Sequence, residues 1–352
     1  MAASITPERL ERLRGLIAAG GSAVITVHTR PDGDAVGSAV ALRRWLHERC
    51  GLTASILLPD PAPALFGFLT EDEPVLTASR EEVEVRRCIA GAGLVFCLDC
   101  NGLDRTASLE TPLREARCPK ILIDHHLYPE ADPFELVFSD PAASSTCELL
   151  YGILQALDGT PLPPKSAEAL MTGLTTDTNN FANSATPATF RMAAELVEAG
   201  VDRTGILQQI FQQHNERRLR LLAHCLKGMV ITPEGAAYMI LDRRAQRRFG
   251  IDEGDTEGFV NEPLAIGQVR MSLFLKEEPG LFRVSIRAKR GTSARKLAAA
   301  CFHGGGHELA AGGRLYIPQD IPAPSAAAAY IEDVIRGYFR GTISAKETTA
   351  PI

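Results

Sequence analysis

The residues of this chain best suited to chemistry are acids and imidazoles carried by four separate segments: His28, Asp32 and Asp34; Asp99; Asp124, His125 and His126; and Asp177. Asp99 directly ends the apolar run 94–98, where an unpaired charge would be costly. The apolar run 120–123 likewise delivers three ionisable side chains in succession. Asp32-Gly33-Asp34 after Pro31 also reads as a turn followed by a helix N-cap, and Asp177 as a helix terminator. Gathered at one edge, these carboxylates would repel one another unless cations stood among them. Divalent ions remove the conflict. Mixed His and Asp ligands without thiolate suit Mn²⁺ and also tolerate Mg²⁺, Fe²⁺ or Zn²⁺. Two ions ~3.5–4 Å apart would share a carboxylate, lower the pKa of a bridging water and clamp the oxygens of an in-line phosphoryl displacement. Phosphoester hydrolysis is the reaction this implies.

The elements that must position these groups follow from the spacing of apolar runs. Thr6 as N-cap, Pro7, the apolar Leu10, Leu13 and Ile17, and the stop at Gly20-Gly21 define an opening helix. Residues 23–27 read as a strand leading through His28 to Asp34 into an amphipathic helix over 35–47. Further buried strands are predicted at 53–58, 94–98 and 120–123, with helical stretches between them. Such alternation predicts an α/β domain, a mainly parallel sheet flanked by helices. In a sheet of that kind ligands gather outside the carboxyl ends of the strands, where the acids fall. Helices are expected at 144–157, 165–175 and 187–199, and 201–227 reads as one or two helices joining the halves. Strand pairs at 228–231, 236–241, 269–275 and 282–288, with helices at 293–300 and 325–339, then predict a smaller α+β domain. The expected organisation is a catalytic metal-binding domain at 1–200, a helical linker at 201–227, a substrate-binding domain at 228–342 and a disordered tail at 343–352, with an active-site cleft between the domains.

The length of 352 residues, with 45% hydrophobic and 23% charged, predicts about two globular domains. Its 37 basic and 43 acidic residues leave a net charge of −6, which argues against coating long nucleic acid by electrostatics alone. A small phosphorylated substrate held by a few local cations remains compatible with it. No apolar signal core opens the chain, and no uncharged run reaches the ~18 residues needed to cross a bilayer, so a cytoplasmic protein without membrane contact is expected. The eight scattered cysteines read as free thiols. Only Cys97 and Cys100 have metal-ligand spacing, and no second pair completes a zinc site. His47, His214 and His224 read as helical surface or packing residues, and Trp45 as core. Phe181 and Phe190 flank the fourth acidic segment; either could stack on a base, with core packing the favoured role for Phe190.

In the second domain, His303-Gly304-Gly305-Gly306-His307 precedes Ala310-Ala311-Gly312-Gly313. Consecutive glycines leave backbone N–H groups open to an anion, and His307 could add a positive donor. Upstream, Arg287, Lys289 and Arg290 supply cations suited to phosphate.

His28-x-x-x-Asp32-x-Asp34-x-x-Gly37-Ser38, Leu98-Asp99, Asp124-His125-His126 and Gly173-Leu-Thr-Thr-Asp177 closely resemble the four motifs of the DHH phosphoesterase superfamily. The segments 303–307 and 310–313 resemble its carboxy-terminal DHH-associated domain, so the likeness spans roughly residues 20–340. Asp140-Pro-Ala-Ala-Ser-Ser145-Thr-Cys-Glu148 and Asp177-Thr-Asn-Asn-Phe181 resemble the stand-alone nano-RNase (oligoribonuclease) and pAp-phosphatase type. RecJ exonucleases share the core but carry extra domains. The resemblance implies one Mn²⁺ held by His28, Asp32 and Asp99 and a second held by Asp34, Asp99, His125 and Asp177, with Asp99 bridging. It further implies that Asp124 orients an imidazole, that His126 contacts the scissile phosphate, and that Arg287 with Gly304, Gly305, Gly306 and His307 grips the substrate. His303 departs from the family, which often has a fourth glycine there.

The activity so implied is hydrolysis, by a bridging hydroxide, of short oligoribonucleotides such as pGpG to mononucleotides and of pAp to AMP. A cyclic-di-AMP phosphodiesterase, a pyrophosphatase-like hydrolase and a non-catalytic nucleotide sensor are the alternatives. Partners are accordingly short RNA and small phosphorylated nucleotides, and a homodimer is compatible with the chain.

Overall fold

Apolar runs of strand length separated by amphipathic helices can be buried only as a sheet covered on both faces. The computed structural model, which describes residues 4–212, 215–251 and 254–342, has this layering. The chain divides into two compact units, Met1–Gln213 and His214–Ile352.

In the first unit, strands β1 (Ser22–Thr26), β2 (Thr53–Leu58), β3 (Val75–Thr77), β4 (Leu94–Leu98), β5 (Lys120–Asp124) and β6 (Leu136–Ser139) form one sheet in the order β3-β2-β1-β4-β5-β6. Every pairing is parallel. β2 and β4 have the bounds expected from sequence, and β1 and β5 lie within one residue of theirs. β3 and β6, the short edge strands, carry too few apolar residues to stand out as runs. The helices are α1 (Pro7–Ala19), α2 (Gly33–Cys50), the single turn α3 (Gly67–Thr70), α4 (Glu82–Ala90), α5 (Glu110–Glu115), α6 (Thr146–Asp158), α7 (Pro164–Asp177), α8 (Pro187–Glu198) and α9 (Arg203–Phe211).

Side chains alternate along the strands. Val24, Leu57, Val95 and Leu122 pack with Val85 and Ile89 of α4 and Leu113 of α5. Ile25, Ile56, Phe96, Leu98, Ile121 and Ile123 face the other way, in a core shared with α1, α2, α6 and α7. Trp45 belongs to this core, as expected. Helices α2 and α7 meet through glycines. A Cβ at Gly37 would lie 2.5 Å from the Ala169 carbonyl oxygen, and one at Gly173 3.0 Å from Asp34 Oδ1 and in hard contact with Cys147 Sγ. This approach brings Asp34, in the first turn of α2, beside the last turn of α7, which ends in Asp177.

The turn after β4 corrects one expectation about the thiols. Cys97 and Cys100, with Cα atoms 6.5 Å apart, are joined in a disulfide across Leu98 and Asp99. Cys50, Cys88, Cys118, Cys147 and Cys225 are free thiols, as read from sequence.

The second unit contains α10 (Glu216–Lys227), α11 (Arg243–Phe249), α12 (Ala294–Cys301) and α13 (Ala327–Phe339). Its strands β7 (Val230–Ile231), β8 (Ala236–Leu241), β9 (Met271–Glu278), β10 (Leu281–Ala288), β11 (Gly305–Gly306) and β12 (Ala310–Tyr316) pair in the order β11-β12-β10-β9-β8-β7. Only β8 and β9 are parallel among these pairs. Leu297 of α12 and Ile331 and Ile335 of α13 pack on Leu273, Val284 and Ile286. Leu221 of α10 and Phe259 pack with Met239 and Phe274 in a second cluster. Within 201–227 the structure has two helices, α9 in the first unit and α10 in the second. The tail expected to be disordered, 343–352, and His214 lie outside the described residues. No described helix is long and apolar enough to cross a membrane.

Gly173→Ala should lower the midpoint of urea unfolding, because the added methyl meets the buried Cys147 sulfur and the Asp34 backbone. Overpacking of this kind costs about 1–3 kcal/mol. An unchanged midpoint would contradict the tight contact between α2 and α7.

Candidate metal centre

The strand order reverses between β1 and β4, and the acids and imidazoles collect at that switch point. β1 runs into His28, Asp32 and Asp34; β4 delivers Asp99; β5 ends in Asp124 followed by His125 and His126; α7 ends in Asp177. Asp32 is the N-cap of α2, as its turn-and-cap reading anticipates. Its Oδ1 caps α2 by accepting from the Asp34 and Ala35 amides at 3.0 and 3.1 Å, and the same atom stands 3.9 Å from His28 Nε2. At Asp99 the chain enters the left-handed region, with φ at 57°, immediately after a fully buried strand.

Two groups of potential ligands meet around Asp99. His28 Nε2 lies 3.6 Å from Asp99 Oδ2, so that His28, Asp32 and Asp99 converge. His125 Nε2 lies 3.7 Å from Asp99 Oδ1, 3.9 Å from Asp34 Oδ2 and 3.6 Å from Asp177 Oδ2. All six residues expected as metal ligands are therefore brought together. Asp124 accepts the His126 Nδ1–H at 2.7 Å and the His126 amide at 3.0 Å, and His126 Nδ1 is 3.6 Å from Asp99.

The donor set fits a divalent ion. His28 Nδ1 is 2.7 Å from the Thr29 carbonyl oxygen and His125 Nδ1 is 3.3 Å from that of Ala143. A carbonyl only accepts, so each Nδ1 carries a proton and each ring turns its Nε2 toward carboxylates. Once Nε2 is deprotonated, as metal ligation requires, its lone pair faces carboxylates at 3.6–3.9 Å, which is unfavourable by itself. Ligands bound at about 2.0–2.2 Å to a common ion stand roughly 3–4 Å apart, the spacing found here.

Sequence reasoning missed how the carboxylates are held. The α6 N-terminus, capped by Ser145, directs two unsatisfied amides at Asp34: Thr146 N–H donates to Oδ2 at 2.6 Å and Cys147 N–H to Oδ1 at 2.9 Å. The Thr146 hydroxyl donates to Asp99 Oδ1 at 2.9 Å. The segment 140–148 is legible as a family-like motif, but the partners of its amides are more than a hundred residues away and no spacing rule reaches them.

Buried charges shift one another here. Burial, and then the Asp99 charge, push Asp34 up to about 7 against the opposing pull of His125. Burial and Asp34 likewise raise Asp177 well above the usual carboxylate range. Burial pulls His125 down, yet Asp177, Asp99 and Asp34 outweigh it and carry the imidazole to about 9. Burial would raise Asp99, but His28, His126 and His125 hold it below the ordinary range.

The expected substrate-binding residues lie in the second unit. Arg287 is on β10, half-buried, with Nη1 donating to the Ile286 carbonyl at 3.0 Å. The packing of the segment also requires its glycines. A Cβ at Gly304 would collide with the Gly312 carbonyl oxygen, and Gly305 and Gly306 pair as β11 with Gly312 and Ala311 of β12. Two amides of the segment are already engaged: Gly304 N–H with Ala298 at 3.2 Å and His307 N–H with Ala310 at 2.8 Å. The residues expected to leave a run of open amides thus form a tight hairpin, and Ala310–Gly313 opens a strand. His303 adopts φ of 48°, the region a glycine would favour, and its ring is tied to Asp320 at 2.9 Å.

A six-stranded parallel sheet with a cradle of acids and imidazoles at its switch point defines an α/β protein with a candidate divalent-metal centre. The chain belongs to the DHH family: residues 22–174 match the model of the DHH family, N-terminal domain. It is 30% identical over 307 residues to the bifunctional oligoribonuclease and PAP phosphatase NrnA of Thermus thermophilus, covering 85% of this chain and 86% of the relative. It is 28% identical over 293 residues to the Bacillus subtilis protein of the same description, covering 82% and 88%. The crystal structure of an exopolyphosphatase-related protein from Bacteroides fragilis superposes with a TM-score of 0.90 at 29% identity, over 97% of this chain and 99% of that one.

Two outcomes follow. Loading the centre with Mn²⁺ should release protons and tighten as pH rises through 7 toward 9, since Asp34 and His125 must lose protons first. Calorimetry in buffers of different ionisation enthalpy measures this, and proton uptake would contradict it. Thr146→Val should weaken metal binding by roughly 10- to 100-fold, the usual cost of removing a group that orients a ligand; unchanged affinity would show that the Asp99 contact is incidental.

Proposed function

We propose that this protein is a two-metal phosphoesterase that cleaves very short oligoribonucleotides, dinucleotides such as pGpG among them, to mononucleotides, and removes the 3′-phosphate of pAp. The observation that carries the reading is the convergence of His28, Asp32, Asp34, His125 and Asp177 around the buried Asp99. The names of the Thermus and Bacillus relatives support the substrate class. We assign His28, Asp32 and Asp99 to one ion and Asp34, Asp99, His125 and Asp177 to the other, with Mn²⁺ as the favoured metal. Such ions supply Lewis acidity and an activated water when bound.

The protein groups divide the remaining work. Asp124 takes the His126 Nδ1–H, which fixes the tautomer and makes Nε2 the atom that addresses the scissile phosphate. Thr146 and the α6 amides hold Asp99 and Asp34 in one orientation, so the carboxylates need not reorganise when charge develops on the phosphate. Arg287 and the 304–307 segment are the residues of the second unit that we assign to substrate binding; with two amides engaged, His307 and the Arg287 guanidinium carry more of that role than the glycine backbone.

Chromatography of products from the protein with Mn²⁺ tests the reading. Mononucleotides should appear from pGpG and a short RNA, AMP from pAp, and all release should cease with EDTA. Turnover of cyclic-di-AMP or pyrophosphate alone would overturn the substrate class, and nucleotide binding without turnover would favour a sensor. Asp99→Asn should lower activity and metal binding together, by more than the roughly 10- to 100-fold cost of losing a supporting residue. Arg287→Ala should raise KM more than it lowers kcat if it binds a phosphate equally in ground and transition states.

A further inference from the structure

Of the two phenylalanines that flank the fourth acidic segment, Phe181 packs at the edge of the core, and Phe190, for which core packing is the favoured reading, does not. Phe190 is 56% exposed, although it occupies the first turn of α8. Its ring stacks on that of Phe181, with centroids 5.3 Å apart and planes within 20°. The Arg203 guanidinium carbon lies 5.4 Å from the Phe181 ring centroid, and Arg203 Nη2 donates to Asn180 Oδ1 at 2.5 Å. A stacked pair with a cation on one member is more order than an incidental exposed side chain requires.

Both rings are tied to helices that carry or hold candidate metal ligands. Phe181 follows Asp177 by four residues. Asn179, Asn180 and Phe181 all take left-handed backbone conformations, with φ of 47°, 55° and 67°, an outlying geometry for a bulky aromatic. That turn is folded back on α7: Asn180 N–H reaches the Thr175 carbonyl at 2.7 Å, and Phe181 N–H reaches Thr178 Oγ1 at 2.9 Å. Phe190 follows Thr189, whose buried hydroxyl donates to Glu148 Oε2 at 2.7 Å. Glu148 lies in the first turn of α6, whose amides hold Asp34. The α8 entry is further fixed by the reciprocal capping box of Thr186 and Thr189. The platform is therefore held rigid from two sides, each leading to a carboxylate of the centre.

We propose that Phe190, backed by Phe181 and Arg203, is the stacking platform for one nucleobase of the substrate. The ligand class is a purine or pyrimidine ring attached to the nucleotide whose phosphate is cleaved. This rests on the oligoribonucleotide reading above and deepens it. Stacking tolerates any base, because every base has a π-face, and four residues of chain from Asp177 limit Phe181 to within about 14 Å of it, a reach suited to the adjoining base.

The test is equilibrium binding of a dinucleotide containing 2-aminopurine to the full chain with Ca²⁺ in place of Mn²⁺, alongside the same dinucleotide lacking the base. The wild-type protein should quench 2-aminopurine fluorescence and prefer the intact over the abasic dinucleotide. Phe190→Ala should lower that preference about tenfold and abolish the quench, and Phe190→Trp should restore the preference. Thermal melting confirms that the variants fold. An intact preference in Phe190→Ala overturns the platform, as does an equal loss on both dinucleotides or a change only in self-association, which would mark α8 as a contact between copies. Quenching without cleavage in Mn²⁺ would sink the proposed reaction and spare the platform; cleavage with an unaltered Phe190→Ala would do the reverse.

Discussion

Three carboxylates, Asp34, Asp99 and Asp177, are packed among imidazoles at the end of a buried sheet, and the ligand atoms of His28, Asp32 and Asp99, and of Asp34, His125 and Asp177, lie within 4.8 Å of one another in each group. Like charges at that spacing repel by about 3–4 kcal/mol at the effective dielectric of a protein interior. Such a cluster persists because everything around it resists relaxation. The strands beneath it are close-packed on both faces, the α2–α7 contact is set by glycines that admit no slack, and Asp99 sits in a left-handed turn with its carboxylate held by the Thr146 hydroxyl. The rest of the first unit can be understood as the apparatus that keeps these groups together.

Helix ends do much of that holding. Asp32 closes the N-terminus of its own helix, and Asp34 closes that of α6, so that two carboxylates of the centre satisfy backbone donors that would otherwise be orphaned. Each therefore stabilises the fold while being held for chemistry. The interaction of a carboxylate with a helix N-terminus contributes about 0.3–1 kcal/mol at exposed sites and up to about 2 when partly buried. That is less than the repulsion it works against, which leaves a divalent cation as the natural partner for the remainder.

Legibility from sequence followed the range of the interactions. β4 is a continuous apolar run and β2 ends in one, so both could be bounded to the residue, and the acids following β1, β4 and β5 could be placed at one edge because a parallel sheet puts them there. The edge strands β3 and β6 and the strand β12 were not visible, since their residues are mixed or glycine-rich and take their conformation from the neighbour they pair with. The Gly304–His307 segment was legible as special but not in its reason: the tight approach of β12 is a tertiary fact. Phe190 was misplaced in the core because an aromatic on a helix is usually buried, and only the direction of α8 shows it facing solvent. The contacts of Thr146 and Cys147 with Asp99 and Asp34 join residues that no local pattern connects.

The central claim is that Asp99 stands between two metal ions. Crystals of the protein grown with Mn²⁺ and measured for anomalous scattering at the manganese edge test it most directly. Two peaks about 3.5–4 Å apart, one beside each Asp99 oxygen, are expected. A single peak, or peaks away from Asp99, would contradict it.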